Sequence, residues 1–343
     1  MSNFTMEYLK ELQSYPLEIK ISLTKQRIRE WVHRYGVDGV YISFSGGKDS
    51  TVLLHIVREM YPDVPAVFAD TGLEYPEIRS FVRNFDNVIW LKPKMTFRQV
   101  IEKYGYPFIS KEVSQIVWEV RTYGKDRAKW AYGKFLPNSE YNLKYKGKYS
   151  VEKYKFLLSE EAPKISHKCC YVMKKSITKQ YEKETGRTAF IGTLAQESQL
   201  RTSEWLRHGC NAFESKRKSS KPLSFWGEND ILQYIKEKGI EICSVYGQIV
   251  ENEEIPGQMT WDEYAGFDIG KKDLKTTGCK RTGCVFCGFG CHLEKEGEGR
   301  FERLKITHPK IYDYIMRPWE QGGLNYKEVI DWLNEHGNLN IRY

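Results

Sequence analysis

The stretch YISFSGGKDSTVLLHIVREM, Tyr41–Met60, decides the fold because two glycines join an apolar run to a helical pattern. The preceding GVYISFS is typical of a buried strand, and DSTVLLHIVREMY is typical of a helix. A glycine pair at such a junction lets the backbone turn sharply and point N–H groups at an anion. The stretch therefore predicts a phosphate-binding turn at the carboxyl end of a strand.

Strands and helices alternate around this turn. AVFAD, NVIWLKP and TAFIGTLA predict further strands, and YPEIRSFVRNF and ENDILQYIKEKGI predict further helices. This succession favours a parallel sheet covered by helices, with right-handed crossovers. We therefore expect an α/β, doubly wound, mostly parallel sheet. The predicted segments are an N-terminal amphipathic helix in 1–38, a nucleotide-binding domain in 39–215 and a C-terminal helical, cysteine-rich module in 216–343.

Composition narrows the class of protein. The chain has 343 residues, 41% hydrophobic content and a formal charge of +8, which is compatible with phosphate-bearing ligands. The amino terminus has charges every few residues and no long apolar run, so we expect a cytoplasmic protein without a membrane span. Eight cysteines in such a chain favour metal ligands or redox thiols over a disulfide framework.

The residue types in the turn suit an anion. Gly46 and Gly47 present N–H groups, Lys48 adds a cation, and the following helix contributes the positive end of its dipole. The alternative is a plain turn in which Asp49 or Ser50 caps the helix. The spacing differs from the common P-loop, which has four residues between its first glycine and Gly-Lys-Ser/Thr.

SGGKDS is the signature of the PP-loop, and the chain resembles the ATP pyrophosphatases that carry it. FADTGLEYPE, SHKCCYVMKK, IGTLAQESQLR and CKRTGCVFCGFG follow in that order. Together these motifs resemble the phosphoadenosine phosphosulfate (PAPS) reductase family of the PP-loop superfamily, over residues 20–310. The resemblance implies an adenine nucleotide alpha hydrolase-like fold that binds ATP and Mg²⁺.

The resemblance also implies a set of site residues. Lys48, Asp49 and Arg201 are expected to be catalytic, with Arg201 contacting phosphate or sulfate through its guanidinium fork. A surface ion pair is the alternative for Glu197 and Arg201. The expected nucleotide and metal contacts are Ser43, Phe44, Ser45, Gly46, Gly47, Lys48, Asp49, Ser50, Asp70, Thr71, Gly72, Gly192 and Glu197.

The cysteines form a second group. Four of them are close together in CKRTGCVFCGFGC, which fits a local tetrahedral zinc site. Resemblance to the reductases that use adenosine phosphosulfate implies instead a [4Fe-4S] cluster. The implied ligands are Cys169, Cys170, Cys284 and Cys287, with Cys279 preferred over Cys291 as a supplementary ligand. We expect the remaining two, Cys210 and Cys243, to be core residues.

Two departures from the reductases bear on the reaction. Sulfonucleotide reductases carry a nucleophilic cysteine near the carboxyl terminus and generally lack an intact SGGKDS, whereas this sequence ends in HGNLNIRY and keeps the turn. We therefore expect an ATP pyrophosphatase that adenylates a substrate, releases pyrophosphate and supports sulfur transfer. The alternatives are an APS or PAPS reductase and a non-catalytic iron–sulfur or zinc protein that binds nucleic acid.

Two basic segments bear on partners. Residues 121–156 interleave lysines and arginines with aromatic side chains, as a surface for single-stranded or looped nucleic acid would. The alternative is a helical hairpin whose aromatics pack on the domain. SKRKSSKP, Ser215–Pro222, is either a mobile loop over the nucleotide or a surface turn. The candidate partners are thus an adenine nucleotide, nucleic acid (tRNA or DNA) and a sulfur donor protein.

Overall fold

The computed structural model describes residues 4–252 and 273–343. They form two compact units. Unit 1 contains residues 4–70, 74–91, 178–252 and 273–282, and unit 2 contains Thr71–Leu73, Lys92–Ile177 and Gly283–Tyr343. This grouping does not follow the expected boundaries at residues 38 and 215, because the chain leaves unit 1 after its third strand and later returns to complete the same sheet.

Unit 1 is built on a six-stranded sheet in the order β3-β2-β1-β5-β7-β6. Its strands are β1 Val40–Ser43, β2 Ala66–Ala69, β3 Val88–Leu91, β5 Thr188–Ile191, β6 Asn211–Ala212 and β7 Ser219–Ser220. In this sheet β6 runs antiparallel to β7, and the other pairings among the described strands are parallel. The mostly parallel α/β fold is confirmed.

The strands follow from their residues. In β1, Val40, Tyr41 and Ile42 are buried, as expected for a parallel strand covered on both faces. The four predicted strands are confirmed as β1, β2, β3 and β5. The run Ser215–Pro222, expected to be a loop or a surface turn, contains a short strand. Ser219 and Ser220 are buried and form β7 beside β5.

Helices cover this sheet. They are α1 Met6–Ser14, α2 Leu17–Tyr35, α3 Lys48–Met60, α4 Pro76–Arg83, α10 Ser176–Thr185, α11 Gln199–His208 and α12 Glu228–Lys238. The amphipathic helix expected within 1–38 is present as α2, and a further helix, α1, precedes it; Pro16 at the N-cap of α2 separates the two. An antiparallel pair of strands, β8 Ile249–Glu251 and β9 Leu274–Thr276, also belongs to unit 1.

Unit 2 is mainly helical. Its helices are α5 Phe97–Tyr104, α6 Lys111–Arg127, α7 Lys129–Gly133, α8 Glu140–Lys144, α9 Lys168–Cys170, α13 Arg300–Thr307, α14 Pro309–Met316 and α15 Tyr326–Gly337. A 3₁₀ segment, Glu152–Leu158, and a π turn, Tyr171–Lys175, lie between them. β4 Phe108–Ile109 pairs in parallel with β10 Gly288–Phe289. None of the helices among the described residues of either unit is long and apolar enough to span a membrane.

Candidate functional site

The predicted turn lies at the topological switch point of the sheet in unit 1. β1 has β2 on one side and β5 on the other, and the three strands are parallel. Open α/β sheets bind ligands outside the carboxyl ends of the strands at such a point. β1 is followed by the SGGKDS turn, β2 by Asp70 and β5 by Gly192, so these predicted residues share one edge of the sheet.

The turn needs its glycines. Gly46 has φ 71°, and a Cβ there would lie 2.8 Å from Val82 Cγ2 of α4. Gly47 is the N-cap of α3. The N–H of Gly47 donates to Ser45 Oγ at 3.3 Å, and the N–H of Lys48 donates to the Tyr246 hydroxyl at 3.1 Å. Two N–H groups at the positive end of α3 thus donate to side-chain hydroxyls, at the helix end where an anion would bind.

Lys48 is the buried cation of the turn. Its side chain is 4% exposed, and Nζ donates to the Lys280 carbonyl oxygen at 3.1 Å. Nζ also lies 3.2 Å from Glu228 Oε1 and 3.6 Å from Asp49 Oδ1. The ammonium is therefore held at the start of α3 by acceptors from three directions.

Asp49 faces Lys48, with 3.6 Å between Oδ1 and Nζ, which is beyond hydrogen-bonding distance. Its Oδ1 is buried and receives no hydrogen bond from the described residues. Burial raises the pKa of Asp49; Lys48 lowers it and Glu228 raises it. A buried carboxylate oxygen without a donor is a suitable ligand for a cation. Mg²⁺ in nucleotide sites commonly takes one or two carboxylates together with phosphate oxygens, and this side chain fits that role.

Two arginine pairs lie beyond the ends of β2 and β5. Asp70 is buried and accepts from Arg79 of α4, with 3.0 Å between Oδ2 and Nη2. Glu197 pairs with Arg201, and Arg281 Nη1 lies 3.6 Å from Glu197 Oε1. The ion pair considered for Glu197 and Arg201 is thus present. Burial lowers the pKa of Arg201, and the neighbouring Arg281 lowers it further.

Other predicted contacts have structural roles. A Cβ on Gly192 would lie 2.9 Å from the Asp49 carbonyl oxygen, so this glycine lets β5 approach the first turn of α3. Phe44 is buried and packs edge-on against Phe85. Ser43 is the last residue of β1, and the hydroxyls of Ser45 and Ser50 lie 3.0 Å apart. The remaining two predicted contacts, Thr71 and Gly72, group with unit 2.

A second site lies within unit 2. One small cavity is lined by four cysteines together with apolar side chains and a lysine; the lining residues are Leu73, Phe97, Pro107, Cys169, Cys170, Met173, Lys174, Cys284, Phe286 and Cys287. None of the eight cysteines, all of which lie in the described residues, forms a disulfide bond. The structure therefore brings together the two cysteine pairs that are far apart in the sequence.

The vicinal pair has unequal thiols. Cys169 Sγ donates to Cys170 Sγ at 4.0 Å, and this contact lowers the pKa of Cys170 to about 6 against the opposing effect of burial. Lys111, Lys174 and Lys175 lower it further. The same contact raises the pKa of Cys169. One thiolate is thus favoured near neutral pH, and thiolate is the form that binds metals.

Tertiary contacts fix the second pair. The Cys287 N–H donates to the Cys284 carbonyl oxygen at 3.1 Å, and Arg300 Nη1 donates to the Cys287 carbonyl oxygen at 2.7 Å. The Tyr326 hydroxyl donates to the Phe286 carbonyl oxygen at 2.6 Å. Backbone contacts therefore hold the loop that carries both cysteines, and both line the cavity.

The other cysteines do not line this cavity. Cys291 is buried and its thiol donates to the Gly288 carbonyl oxygen at 2.8 Å, while Cys279 belongs to unit 1. Cys210 and Cys243 are buried, which confirms them as core residues. Among residues 4–252 and 273–343, no three histidine, cysteine or carboxylate side chains converge to hold a single metal ion.

Comparison with known proteins gives the family. Residues 39–121 and 136–288 match the phosphoadenosine phosphosulfate reductase domain. The chain belongs to the PAPS reductase family. The match includes the SGGKDS turn and both cysteine pairs of the cavity, and it leaves out residues 122–135 of the basic segment.

Relatives of this PAPS reductase family chain include an uncharacterised protein of Methanocaldococcus jannaschii, 33% identical over 32% of this chain and 24% of that protein. The phosphoadenosine 5′-phosphosulfate reductase of Buchnera aphidicola is 30% identical over 36% of this chain and 42% of that protein. The adenosine 5′-phosphosulfate reductase of Bacillus cytotoxicus is 27% identical over 23% and 36%. The chain thus spans less than half the length of these relatives.

A solved structure also matches. It is the phosphoadenylyl-sulfate reductase of Candida auris in a phosphate complex, with a TM-score of 0.37, 14% identity, and coverage of 71% of this chain and 91% of that one.

The sequence did not reveal several residues that contact the turn of this PAPS reductase family chain. Tyr246 shares a hydrogen bond of 2.8 Å with Thr282 Oγ1, and Glu228 contacts Lys48. Lys280 and Arg281 precede Thr282 in CKRTGC, a motif that the sequence marks by its cysteines. The two basic residues beside Cys279 are the one sequence feature that could have indicated a contact with the turn. Tyr246 and Glu228 carry no local pattern that distinguishes them.

Proposed function

We propose that this PAPS reductase family member is an ATP pyrophosphatase that adenylates a substrate for sulfur transfer. The observation that carries the proposal is the intact SGGKDS turn at the amino terminus of α3. It holds buried Lys48 and Asp49 Oδ1, which receives no hydrogen bond from the described residues. A cation, N–H donors and a metal ligand at one turn are what a triphosphate requires.

The reaction begins when a substrate oxygen attacks the α-phosphorus of ATP. The bond from that phosphorus to the α,β-bridging oxygen breaks, and pyrophosphate leaves. Negative charge grows on the departing phosphates, and Lys48 with the N–H groups of the turn stabilises it, at about 3 kcal/mol for a well-placed donor. Arg201 and Arg281 supply two further cations near Glu197 for the same charge.

Mg²⁺ is the metal expected with ATP. Asp49 Oδ1 would hold it together with phosphate oxygens, and Asp70 is the second carboxylate expected nearby. When bound, the ion neutralises phosphate charge during the displacement. Displacement of AMP from the adenylated substrate by a sulfur nucleophile would complete the transfer, with the sulfur supplied by a sulfide or a donor protein.

We propose a [4Fe-4S] cluster for the cavity of unit 2. Cys169, Cys170, Cys284 and Cys287 line it without converging on one point, whereas a zinc ion needs sulfurs at about 2.3 Å from a common centre. A cluster offers one iron to each thiolate. Lys111, Lys174 and Lys175 would favour its negative charge. When bound, it would supply sulfur-ligated iron to the reaction.

Sulfonucleotide reduction is the second candidate. The PAPS and APS reductase names of the relatives favour it directly, as do the two cysteine pairs. In that case the turn would hold the phosphosulfate end of the nucleotide, and Arg201 would contact the sulfate. The identity of the nucleotide that is consumed therefore separates the two reactions.

The test supplies one nucleotide at a time to protein purified without oxygen. ATP with cell extract as the source of acceptor should yield AMP and pyrophosphate, measured by chromatography, and Lys48→Ala should abolish this yield. Lys183→Ala, a change at an exposed lysine of the same unit, is the matched control. Sulfite from APS or PAPS with a thiol reductant, without pyrophosphate from ATP, would replace the proposal with the reductase. If neither pyrophosphate nor sulfite is formed, the result would favour the non-catalytic alternative.

A further inference from the structure

A row of four aromatic rings lies on unit 2, within the basic segment 121–156. We call it the aromatic ladder: Trp130, Tyr141, Tyr145 and Tyr149. Successive ring centroids are 6.1, 4.9 and 5.6 Å apart, and the rings of the first and last pairs meet edge to face. In an edge-to-face contact one ring presents only its rim, so the contact leaves both faces of that ring and one face of the other uncovered.

Three of the four rings of the ladder are exposed, and Tyr141 is partly buried. Trp130 is 53% exposed, Tyr145 41% and Tyr149 42%. Phe135 and Tyr154 of the same segment are buried, so packing of aromatics on the domain accounts for these two but not for the ladder. Exposed large rings that neighbour one another form a contiguous apolar surface, which is unusual on a protein that binds nothing there.

The segment is also strongly basic. Residues 121–156 contain ten lysines and arginines and three acidic residues. The net charge of the segment, 10 − 3 = +7, is close to the formal charge of +8 for the whole chain. Nine of the ten are exposed. Lys134 is the exception: it is buried, pairs with Glu112 at 2.8 Å, and lies 4.5 Å from the Trp130 ring centroid. The exposed cations therefore remain available for an anionic partner beside the rings.

The backbone beneath the ladder is firmly held. Asn142 is 2% exposed, and its side-chain amide donates to the carbonyl oxygens of Gly133, Lys134 and Leu136. Ser139 caps α8 by accepting from the Asn142 N–H. The helix that carries Tyr141 is thus fixed to the end of α7, the helix that carries Trp130. A fixed surface loses little conformational entropy when it binds.

We propose that the aromatic ladder binds single-stranded nucleic acid. Exposed rings can stack on unpaired bases, and the adjacent lysines can contact phosphates; in a duplex the base faces are covered by their neighbours. Lys144, Lys146 and Lys148 alternate with Tyr145 and precede Tyr149, so cations and rings lie in one stretch. The interaction is separate from the ATP chemistry and is tested without ATP.

The first experiment measures fluorescence anisotropy of labelled DNA and RNA strands of about 20 nucleotides, longer than one binding site. Tyr145→Ala combined with Tyr149→Ala should raise Kd about 25-fold or more, because two stacks are lost and each contributes roughly a factor of five or more. Tyr145→Phe combined with Tyr149→Phe keeps both rings and should restore wild-type affinity. Binding of only one strand type would identify RNA or DNA as the ligand.

The second experiment concerns the charges. Lys144→Gln, Lys146→Gln and Lys148→Gln together should weaken binding and reduce the slope of log K against log salt by about 0.7 for each lost phosphate contact. The control removes three exposed lysines elsewhere, Lys10, Lys183 and Lys310. Its salt dependence should stay steeper than that of the variant without Lys144, Lys146 and Lys148.

Three results would overturn the proposal. They are no binding of either strand, unchanged affinity in the double alanine variant, and a duplex bound more tightly than its separated strands. A surface that binds through charge alone would leave the affinity of the double alanine variant unchanged. Heparin would then displace the strand equally well from wild type and variant. Melting curves of every variant show that the fold is retained.

Discussion

At the scale of single residues, Asp49 is expected to be needed for function but to lower the stability of the fold at neutral pH. Burial raises its pKa in the folded chain above the unfolded value of about 4. A raised carboxyl pKa means that the folded state holds the proton more tightly, so stability falls as pH rises from the unfolded pKa through the folded one. At neutral pH the ionised group therefore lowers the free energy of unfolding.

Asp49→Asn should thus raise Tm at neutral pH and abolish ATP turnover. The gain in Tm should shrink toward about pH 3, where the carboxyl group is protonated in both states. Asp63→Asn, at an exposed position of unit 1, is the control and should change Tm little at either pH. A variant that melts lower than wild type at neutral pH would show that the carboxylate is stabilised by its surroundings.

Gly192→Ala should disturb the turn from outside it. The added Cβ would lie 2.9 Å from the Asp49 carbonyl oxygen, and backbone atoms cannot swing aside. We expect a loss of about 1–3 kcal/mol in urea unfolding and weaker ATP binding by calorimetry. Gly133→Ala meets ordinary contacts at 3.7 Å and serves as the control. Equal behaviour of both variants would mean that β5 and α3 can separate without consequence.

The sequence predicted the residues of the turn because glycines, a lysine and a helix start are adjacent in the chain. It did not predict Tyr246 or Glu228, whose contacts with Lys48 depend on distant segments folding back. Arg79 was missed for the same reason. Its pairing with Asp70 requires the first turn of α4 to face the end of β2.

At the scale of elements, continuous apolar runs predicted the four-residue strands β1, β2, β3 and β5. The two-residue strands were not predicted. β7 consists of two serines and is defined by its partners β5 and β6, so no period or propensity marks it. β4 and β10 are equally short, and they bring the Cys284–Cys287 loop against Phe108. Pairing of this kind comes from tertiary structure.

Gly288→Ala should release the cysteine loop. The new Cβ would lie 2.4 Å from Phe108 Cδ1, which β10 cannot accommodate while paired with β4. Iron content per chain and absorbance near about 400 nm should both fall if the cavity holds a cluster. Gly283→Ala has open space at its Cβ and should keep both. Full iron in the Gly288 variant would show that this pairing does not position Cys287.

At the scale of the whole molecule, the α/β class could be predicted but the two units could not. The expected boundaries at 38 and 215 treat neighbours in sequence as neighbours in space. The structure instead groups Lys92–Ile177 with Gly283–Tyr343, because α6 and the C-terminal helices pack around the aromatic core of Tyr106, Phe108 and Tyr326.

Protein purified without oxygen should be brown, absorb broadly near about 400 nm and contain iron. Cys170→Ser, Cys284→Ser and Cys287→Ser should each lose iron and lower Tm, because an under-ligated cluster is labile. Cys291→Ser is the matched control, since a serine hydroxyl can replace its thiol as donor to Gly288.

Cys279→Ser tests the supplementary ligand, and retained iron there would assign the cluster to the four cavity cysteines alone. Colourless protein with one zinc ion, unaffected by changes at Cys169 and Cys170, would contradict the cluster and favour the local zinc site.

The interleaving of the units has a consequence for biosynthesis. Cys169 and Cys170 leave the ribosome well before Cys284 and Cys287, and at typical rates of translation the delay is on the order of ten seconds. During that interval the vicinal thiols lack the two cysteines that share their cavity in the folded chain. Nascent chains exposed to oxidant at that stage would be trapped as misjoined disulfides, so recombinant yield should depend on reducing conditions during translation as well as during purification.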